Sequence, residues 1–553
     1  MSDSSKKNTF FGGAAILAVG VAITKVIGAV YKIPLMNVLS DPAYADFNSA
    51  YNIYNFFLTI STAGLPVALS KTISEANALG RKNQVQKVFR VAFAAFLTMG
   101  LVSFFCMSVL ANVMATYVVS NAKAVYCVMA LAPSVLCVCI MSSLRGYFQG
   151  HFDMVPTSLS QIVEAFFKMV VGLGLAVFIA SLNIQDPNIP DLGERLPAVG
   201  AILGVSTGSA VALVYLSVVY FRRRRGALPG TDTPSEGGVI LRDLLLLAIP
   251  ITLGSGANSL ITLVDGRLVM SQLTGIYHTV HGMALDADGT GPALDAARAM
   301  KGIYDKCMSV YNLPFSMMIP LTACIIPAVS AALARRDRKA AQQVSESALR
   351  IGLLLAMPMG MGLCALGGPI MQLLARGIDV SIAGPLLSVL GVASVFVSLQ
   401  LLCNSILQAN GLVNPPILVV AIGGVAKIAV NYVLVGNPDI MINGAPVGTL
   451  VCFAIMCALD IFIIRRAIPS PPSFTRAIGK PLVASLLMAL SAWGSYGLLT
   501  NYLKLGNTPA TLAAILVGVI IYLILVLALR ILSRRDLELM PRGDKIANFL
   551  HID

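Results

Sequence analysis

The segment RGYFQGHFDMVPTSLSQIVEAFFK, residues 145–168, decides the fold, because it carries charges between two apolar runs of membrane length. Pro156 interrupts the chain, and a helical pattern follows it. Gln161, Glu164 and Lys168 are spaced three and four residues apart, so they share one helical face. A glutamate and a lysine one turn apart inside an apolar helix need a partner or a water-filled cavity.

The composition is that of a membrane protein. The chain has 553 residues, of which 57% are hydrophobic and 12% are charged, and its mean hydropathy is +0.82. About a quarter of the residues of a soluble chain are charged. The apolar runs are continuous and do not alternate with period two, which predicts transmembrane helices and excludes a barrel. The ten cysteines are scattered without metal spacing, so buried packing is favoured for them.

We therefore expect an all-α integral membrane protein with fourteen transmembrane helices, and an even number places both termini on one side. The first apolar stretch follows Lys6 and Lys7 and is too long for a signal-peptide core, which favours an uncleaved helix. The predicted spans are 10–38, 46–70, 88–112, 122–144, 156–181, 197–221, 241–272, 303–333, 347–375, 381–407, 414–436, 444–466, 478–503 and 509–532.

The basic residues orient this topology. Most of the 39 Lys and Arg side chains fall on the segments that share a side with the N-terminus. The positive-inside rule then predicts that both termini are cytoplasmic. The net charge of +13 indicates attraction to anionic inner-leaflet lipids and does not indicate nucleic-acid binding.

Some charges fall inside the predicted spans, where each costs roughly 2.5–3.5 kcal/mol near a helix centre. A purely structural bundle would not easily accommodate so many charged residues, and their number therefore predicts a polar cavity. They are Lys25, Lys32, Lys168, Arg267, Lys306 and Lys427, with Glu164, Asp265, Asp305 and Asp460.

The chain reads as two halves and an addition. Segment 222–240 is basic and then rich in Pro, Gly and Ser, which predicts a cytoplasmic linker between an N-lobe (1–221) and a C-lobe (241–468). Residues 469–553 would hold helices 13 and 14 and a cytoplasmic tail. The long outer loop contains two histidines and two aspartates whose spacing fits no closed metal site, so a solvated loop is favoured: His278, His281, Asp286 and Asp288.

An internal repeat relates the two halves. Residues 51–53 (YNI) correspond to 311–313 (YNL), and six predicted spans separate the matched copies, which keeps the chain direction. The repeat is thus parallel and predicts two six-helix lobes that face a central cavity. The strongest match lies at an offset of 259 residues: Gln149, Pro156 and Lys168 recur as Gln408, Pro415 and Lys427.

Three segments carry a family resemblance: TKVIGAVYKIPL (24–35), YNIYNFFLTISTAGLPVALSK (51–71) and 145–168. They resemble the polysaccharide-biosynthesis and stage V sporulation protein B branch of the multidrug/oligosaccharidyl-lipid/polysaccharide (MOP) exporter superfamily, which includes lipid II flippases of the MurJ type. The resemblance covers about residues 10 to 532.

The resemblance implies two six-helix lobes plus two helices, open alternately to each side. It implies a flippase that moves an undecaprenyl-pyrophosphate-linked peptidoglycan precursor, lipid II, outward for the cell wall. A vegetative and a sporulation role both remain open. We expect a monomeric transporter that uses no cofactor, is driven by the membrane potential or a monovalent cation, and contacts the cell-wall synthesis machinery.

In lipid II flippases, basic residues of helices 1, 2 and 8 meet the pyrophosphate. By resemblance Lys25, Lys32 and Lys306 occupy such positions, with Lys32 displaced by about one residue from the family position. Helix 2 departs from the pattern, since 47–65 contains no Lys or Arg. The alternative is that each lysine snorkels to an interface or pairs structurally.

Further charged positions have two interpretations each. Arg145, with Gln149, either admits the headgroup at the inner mouth or caps a helix end, and the cap is favoured. Glu164 and Lys168 form either a structural i,i+4 pair or a conformational switch.

Some relatives hold sodium in the C-lobe; Asp265 matches their acid, and Asn431 and Thr449 lie near the positions of the other ligands. Lys427 lies nearby and could replace the cation by pairing with Asp265, which makes sodium coupling doubtful. A local pair of Asp265 with Arg267 is the alternative.

The chain lacks the signatures of an enzyme or an ATP-driven pump. It contains no GxxxxGK[ST] motif and no Ser/His/Asp or two-metal pattern. The alternatives to a lipid II flippase are a flippase for another lipid-linked oligosaccharide, a multidrug/cation antiporter of the same fold, and a membrane scaffold. Lysines in the cavity argue against an antiporter for cationic drugs.

Overall fold

The computed structural model describes residues 3–182, 184, 192–224, 232–286, 289–412, 414–529 and 531. Within these ranges the chain is almost entirely helical. The α-helices are α1 (Asp3–Val38), α2 (Asp41–Thr62), α3 (Leu65–Ala78), α4 (Lys82–Val109), α5 (Ala111–Val113), α6 (Val125–Gly150), α7 (Val155–Ser181), α8 (Leu192–Arg224), α9 (Gly237–Thr279), α10 (Pro292–Ala334), α11 (Arg338–Ala365), α12 (Gly367–Leu374), α13 (Val380–Ala409), α14 (Asn414–Val435), α15 (Gly444–Ala467), α16 (Phe474–Asn501) and α17 (Asn507–Ala528).

The described helices confirm the all-α membrane class. Twelve segments are long and apolar enough to cross a bilayer, and α9, bent by 46° between Ile249 and Ile251, would be a thirteenth. The count of fourteen is not confirmed, although a helix coincides with every predicted span. The centre of the predicted linker (225–231), Asp288 of the outer loop and the predicted tail beyond 531 lie outside the described residues.

Contacts group the chain into two compact units, Met1–Gly302 and Ile303–Asp553. In the first unit α6 packs against α2, α3, α4 and α8, while α7 joins α1 to α8 and α9 lies on α2 and α3. In the second unit α13 packs against α11 and α15, α14 against α15, and α16 joins α11 to α17. The boundaries expected from the linker, 1–221 and 241–468, stay a prediction.

Glycines bring α7 and α8 together backbone to backbone. A Cβ placed on Gly204 would lie 2.1 Å from the Cα of Gly172, and one on Gly208 would lie 2.7 Å from the carbonyl oxygen of Glu164. Small residues allow this approach in membrane helices. The contact fixes the separation of the α7 and α8 backbones beside Glu164 and Lys168.

The repeat is visible in the helix boundaries. α6 ends at Gly150 and α7 begins at Val155, and α13 ends at Ala409 before α14 begins at Asn414. Each second helix has its proline, Pro156 or Pro415, in the first turn, where a missing N–H removes no helical hydrogen bond. The local geometry thus supports the repeat that the spacing predicts.

A buried ionic cluster lies at the end of the first unit that is predicted to face outward. The Arg298 guanidinium forms a fork with the Asp46 carboxylate, with 2.9 Å between Nε and Oδ1, and the two residues are 1% and 0% exposed. Asn121 donates a 2.8 Å hydrogen bond to Asp46, and Arg298 also reaches Asp295 at 2.8 Å. Lys123 pairs with Asp295 and completes the cluster.

Removing one member of this cluster should lower the free energy of unfolding of the first unit. Arg298→Ala leaves the Asp46 carboxylate buried without its cation, which we expect to cost about 3–5 kcal/mol. Thermal unfolding of the purified protein in detergent measures the loss. The exposed Lys504→Ala is the matched control and should stay within about 0.5 kcal/mol of the wild type. Equal stability of the wild type and Arg298→Ala would contradict the fold at this point.

Candidate functional site

A lysine–tyrosine cluster lies where α1, α2 and α7 of the first unit meet. Lys168 of α7 donates a hydrogen bond to the Tyr51 hydroxyl. Its Nζ also stands 4.7 Å from the Tyr51 ring centroid and 5.6 Å from that of Tyr31. Such cation–π contacts contribute about 0.5–2 kcal/mol. Tyr31 is anchored in turn, since its hydroxyl donates to the Ala201 carbonyl at 3.4 Å.

Glu164, one turn before Lys168, is paired with an arginine of another helix. Its Oε2 lies 2.9 Å from Nη2 of Arg145, and its Oε1 accepts a 3.4 Å hydrogen bond from Ser209. Arg145 also donates to Ser160 at 3.0 Å. The structure therefore places Glu164 with Arg145, whereas the i,i+4 spacing had suggested Lys168. Arg145 lies inside the helix packing, with 13% of its side chain exposed, and serves as this ion-pair partner.

Two lysines are left with unneutralised charge. Lys168 has no carboxylate within ion-pair distance among the residues that the structure describes, and the same holds for Lys25. Lys25 is exposed on α1, the helix that packs against α7. Since Arg145 and Glu164 cancel, Lys25 and Lys168 contribute two positive charges where α1 and α7 pack together. Two such charges attract an anion.

The other lysines predicted for the pyrophosphate are placed differently. Lys32 is half-buried on α1 and has a further polar or electrostatic interaction of its own. Lys306 belongs to the second unit, where it is 4% exposed and next to the buried Asp305. The structure therefore brings together Lys25, Arg145, Glu164 and Lys168 in the first unit, and the shared role of Lys32 and Lys306 stays a prediction.

The residues predicted for sodium are all buried. Asp265, in the first unit, is 6% exposed. In the second unit Asn431 is 0% exposed and lies so close to Gly448 that a Cβ there would be 1.9 Å from its Oδ1. Thr449 is 1% exposed, and its hydroxyl is 3.5 Å from that of Tyr304.

Carboxylate, amide and hydroxyl oxygens are suitable ligands for a hard cation. Lys427, half-buried one turn before Asn431 on α14, would compete with that cation through its own charge. Within the described ranges no group of three or more His, Cys, Asp or Glu side chains could hold a metal ion. The sodium site stays a prediction.

Asp460 in the second unit is a buried acid whose environment the sequence did not reveal. It is 0% exposed on α15, and neither carboxylate oxygen has a hydrogen-bond partner in the part of the chain that the structure describes. Arg465, one possible partner by spacing, stands over the Phe474 ring at 5.8 Å. The nearby thiols of Cys403 and Cys457 are also buried.

We expect Asp460→Asn to fold at least as stably as the wild type, because it replaces an unpartnered buried acid by a neutral side chain of the same shape. Asp460→Lys should destabilise the second unit by more than about 3 kcal/mol, since no carboxylate is at hand for it. Fluorescence-detected size-exclusion after a heating series measures both. A large loss in Asp460→Asn would show that the ionised carboxylate is required.

The Arg145–Glu164 assignment predicts a specific coupling. In a double-mutant cycle, Arg145→Gln and Glu164→Gln should be non-additive by about 0.5–3 kcal/mol, as expected for a contacting pair. The cycle of Glu164→Gln with Lys168→Gln should be additive to within about 0.5 kcal/mol. Chemical unfolding in detergent measures each variant. Non-additivity with Lys168 instead of Arg145 would contradict this assignment and support the i,i+4 pair of Glu164 with Lys168.

A bundle with this many apolar helices defines a multi-pass integral membrane protein. The chain belongs to the polysaccharide biosynthesis protein family, whose model matches residues 10–333. The MatE family model matches residues 302–433. These matches confirm the membership in the MOP superfamily that the three segments predict.

Three proteins of Bacillus subtilis (strain 168) are similar along the chain. The uncharacterized membrane protein YabM is 26% identical over 99% of this chain and 97% of its own length. Stage V sporulation protein B is 22% identical over 97% of this chain and 98% of its own. The lipid II flippase MurJ is 26% identical over 65% of this chain and 64% of its own.

Solved structures show the same fold. The lipid II flippase MurJ in an inward closed conformation superposes with a TM-score of 0.67 at 13% identity, covering 92% of this chain and 98% of that one. An inward-facing multidrug resistance MATE family transporter gives 0.63 at 14% identity, covering 82% and 98%. The flippase and transporter among these similar proteins agree with the prediction that the chain is not an enzyme.

Proposed function

We propose that this protein is a flippase that moves lipid II, an undecaprenyl-pyrophosphate-linked peptidoglycan precursor, from the inner to the outer leaflet of the bacterial cytoplasmic membrane by alternating access. The observation that carries the proposal is the excess positive charge of Lys25 and Lys168 where α1 and α7 pack together. The similarity to the lipid II flippase MurJ supports the choice of substrate.

The chemistry of these side chains matches a diphosphate. A lysine ammonium binds phosphate as a compact point charge, and hydrogen bonds to charged groups are about twice as strong as neutral ones. Tyr51 and Tyr31 hold the Lys168 ammonium in place without neutralising it. A diphosphate that approached Lys168 would therefore meet a cation that is already oriented.

The prenyl tail needs no site of its own, since it remains in lipid while the headgroup crosses. Binding can drive the cycle only where the headgroup has different affinities for the inward-open and outward-open states. A membrane potential that is positive outside favours outward movement of an anion by about 2.3 kcal/mol per charge per 100 mV. No other cofactor is needed in this scheme.

The same site disfavours a multidrug antiporter. A cationic drug needs an unpaired acid, and Glu164 is already neutralised by Arg145 at 2.9 Å. Another lipid-linked oligosaccharide would present the same diphosphate, so lipid II is chosen on the similarity to MurJ and is distinguished by its sugar–peptide headgroup in the assay.

Complementation of a strain depleted of its lipid II flippase tests the proposal. The wild-type chain should restore growth and the appearance of lipid II in the outer leaflet. Lys25→Gln/Lys168→Gln should lower the rate of lipid II appearance by tenfold or more, because each lost charged contact costs about 1.5–3 kcal/mol.

The matched control is Arg338→Gln/Lys339→Gln, which removes two exposed basic residues at the start of α11. It should transport like the wild type. Failure of the wild type to rescue, with proper membrane expression, would reject lipid II as the substrate. Full rescue by Lys25→Gln/Lys168→Gln would instead reject the assignment of the site.

A further inference from the structure

A separate aromatic groove lies on the first unit between α4, α6 and α8. Its volume is about 380 Å³, and its lining includes Phe89, Arg90, Phe93, Tyr147, Tyr220 and Phe221. None of these belongs to the lysine–tyrosine cluster. The groove therefore needs an explanation that is independent of the substrate.

The walls of the groove are rigid and mostly apolar. The rings of Phe89, Tyr147 and Tyr220 contact one another with centroid distances of 5.0, 5.1 and 5.2 Å. Phe89 and Tyr220 are buried and form the base, whereas Phe221 is 60% exposed at the edge. Tyrosines and phenylalanines in this arrangement are typical of the level where a bilayer changes from acyl chains to headgroups.

The rim of the groove is positively charged. Arg90 lines it and is exposed, and Arg222 and Lys87 follow the lining residues Phe221 and Gln86 in the sequence. In the described part of the chain none of these three has a carboxylate within ion-pair distance. The lining itself contains no acid.

Two acids at the predicted cytoplasmic ends of α4 and α6 have partners of their own. The Asp153 carboxylate pairs with Arg223, which also stands over the Phe148 ring at 5.7 Å. Asp232 accepts the backbone N–H groups of Asn83 and Gln84 at 2.9 and 2.8 Å, at the first turn of α4. Desolvation opposes ionisation of Asp232, but these hydrogen bonds outweigh it and lower its pKa. These two acids are therefore not free to neutralise Arg90.

The groove lies at the ends of α4, α6 and α8 that are predicted to face the cytoplasm, near the ends of the predicted spans. Anionic lipids concentrate in that leaflet, and a guanidinium forms bidentate hydrogen bonds with a phosphate. An apolar groove with a basic rim at this end of the helices is complementary to a lipid that combines an acyl chain with a negative headgroup.

We propose that this groove binds one anionic phospholipid of the inner leaflet. An acyl chain lies along Phe89, Tyr147 and Tyr220, and the phosphate contacts Arg90 and Arg222. The bound lipid joins α4, α6 and α8 and stabilises the first unit. This inference stands independently of the substrate that the protein transports.

Native mass spectrometry of the purified full-length chain tests the site, by titration with phosphatidylglycerol and with phosphatidylcholine of the same acyl chains. Phosphatidylglycerol should bind more tightly. Arg90→Gln/Arg222→Gln should weaken its binding by about fivefold for each charge removed, because a Lys or Arg near the surface contributes about that factor. Phosphatidylcholine binding should change little in the same variant.

Two controls separate a built site from diffuse attraction. Arg338→Gln/Lys339→Gln removes the same charge elsewhere and should bind phosphatidylglycerol like the wild type. Ser217→Trp fills the groove and should remove the tightly bound lipid, with Ser217→Ala as its size control. A thermal melt verifies folding, and the arginine variant decides the question if Ser217→Trp does not fold. Equal binding of the two lipids, or equal losses in both double variants, would overturn the proposal.

Discussion

The structure depends on one constraint: a charge among membrane helices is costly unless it is paired, hydrogen-bonded or exposed to a water-filled cavity. Glu164 meets it by pairing with Arg145 at 2.9 Å. Because that carboxylate is already neutralised, Lys168 turns to the rings and hydroxyl of Tyr31 and Tyr51, which orient its charge and leave it uncompensated. The candidate anion site is a consequence of this choice of partners. Had Glu164 paired with Lys168, the excess charge would have resided on Arg145, on α6 instead of α7.

Backbone packing decides which pairing forms. Gly204 and Gly208 of α8 approach α7 so closely that no side chain fits between the two helices. Glu164 and Lys168 of α7 contact Arg145 of α6 and Tyr51 of α2, and Glu164 also accepts a hydrogen bond from Ser209 of α8. The outer ionic cluster of Asp46 and Arg298 follows the same rule, since two fully buried ions are tolerated only with hydrogen bonds on every side. The inner groove is the opposite case, because its arginine is exposed and we propose that a membrane lipid binds it.

Much of the fold could be predicted, because the membrane imposes it. Apolar length specifies helices, and the recurrence of Pro156 as Pro415 places matching breaks in both halves. The family was also predictable, since its motifs are local. The cluster of Asp46 and Arg298 was missed because its members are 252 residues apart and were assigned to a helix start and an outer loop. Their one available signal was an acid at the beginning of the predicted span 46–70.

By itself, the sequence determined that the protein lies in a membrane, that it is helical and which family it belongs to. It also identified the charged residues within the spans. These properties follow from composition and local spacing. Only the tertiary structure decided the partners. Spacing on α7 places a lysine one turn from Glu164. An ion pair nevertheless depends on which side chains meet in space, and the packing of α6 places Arg145 against Glu164. That one choice leaves Lys25 and Lys168 as the cations available to an anionic headgroup.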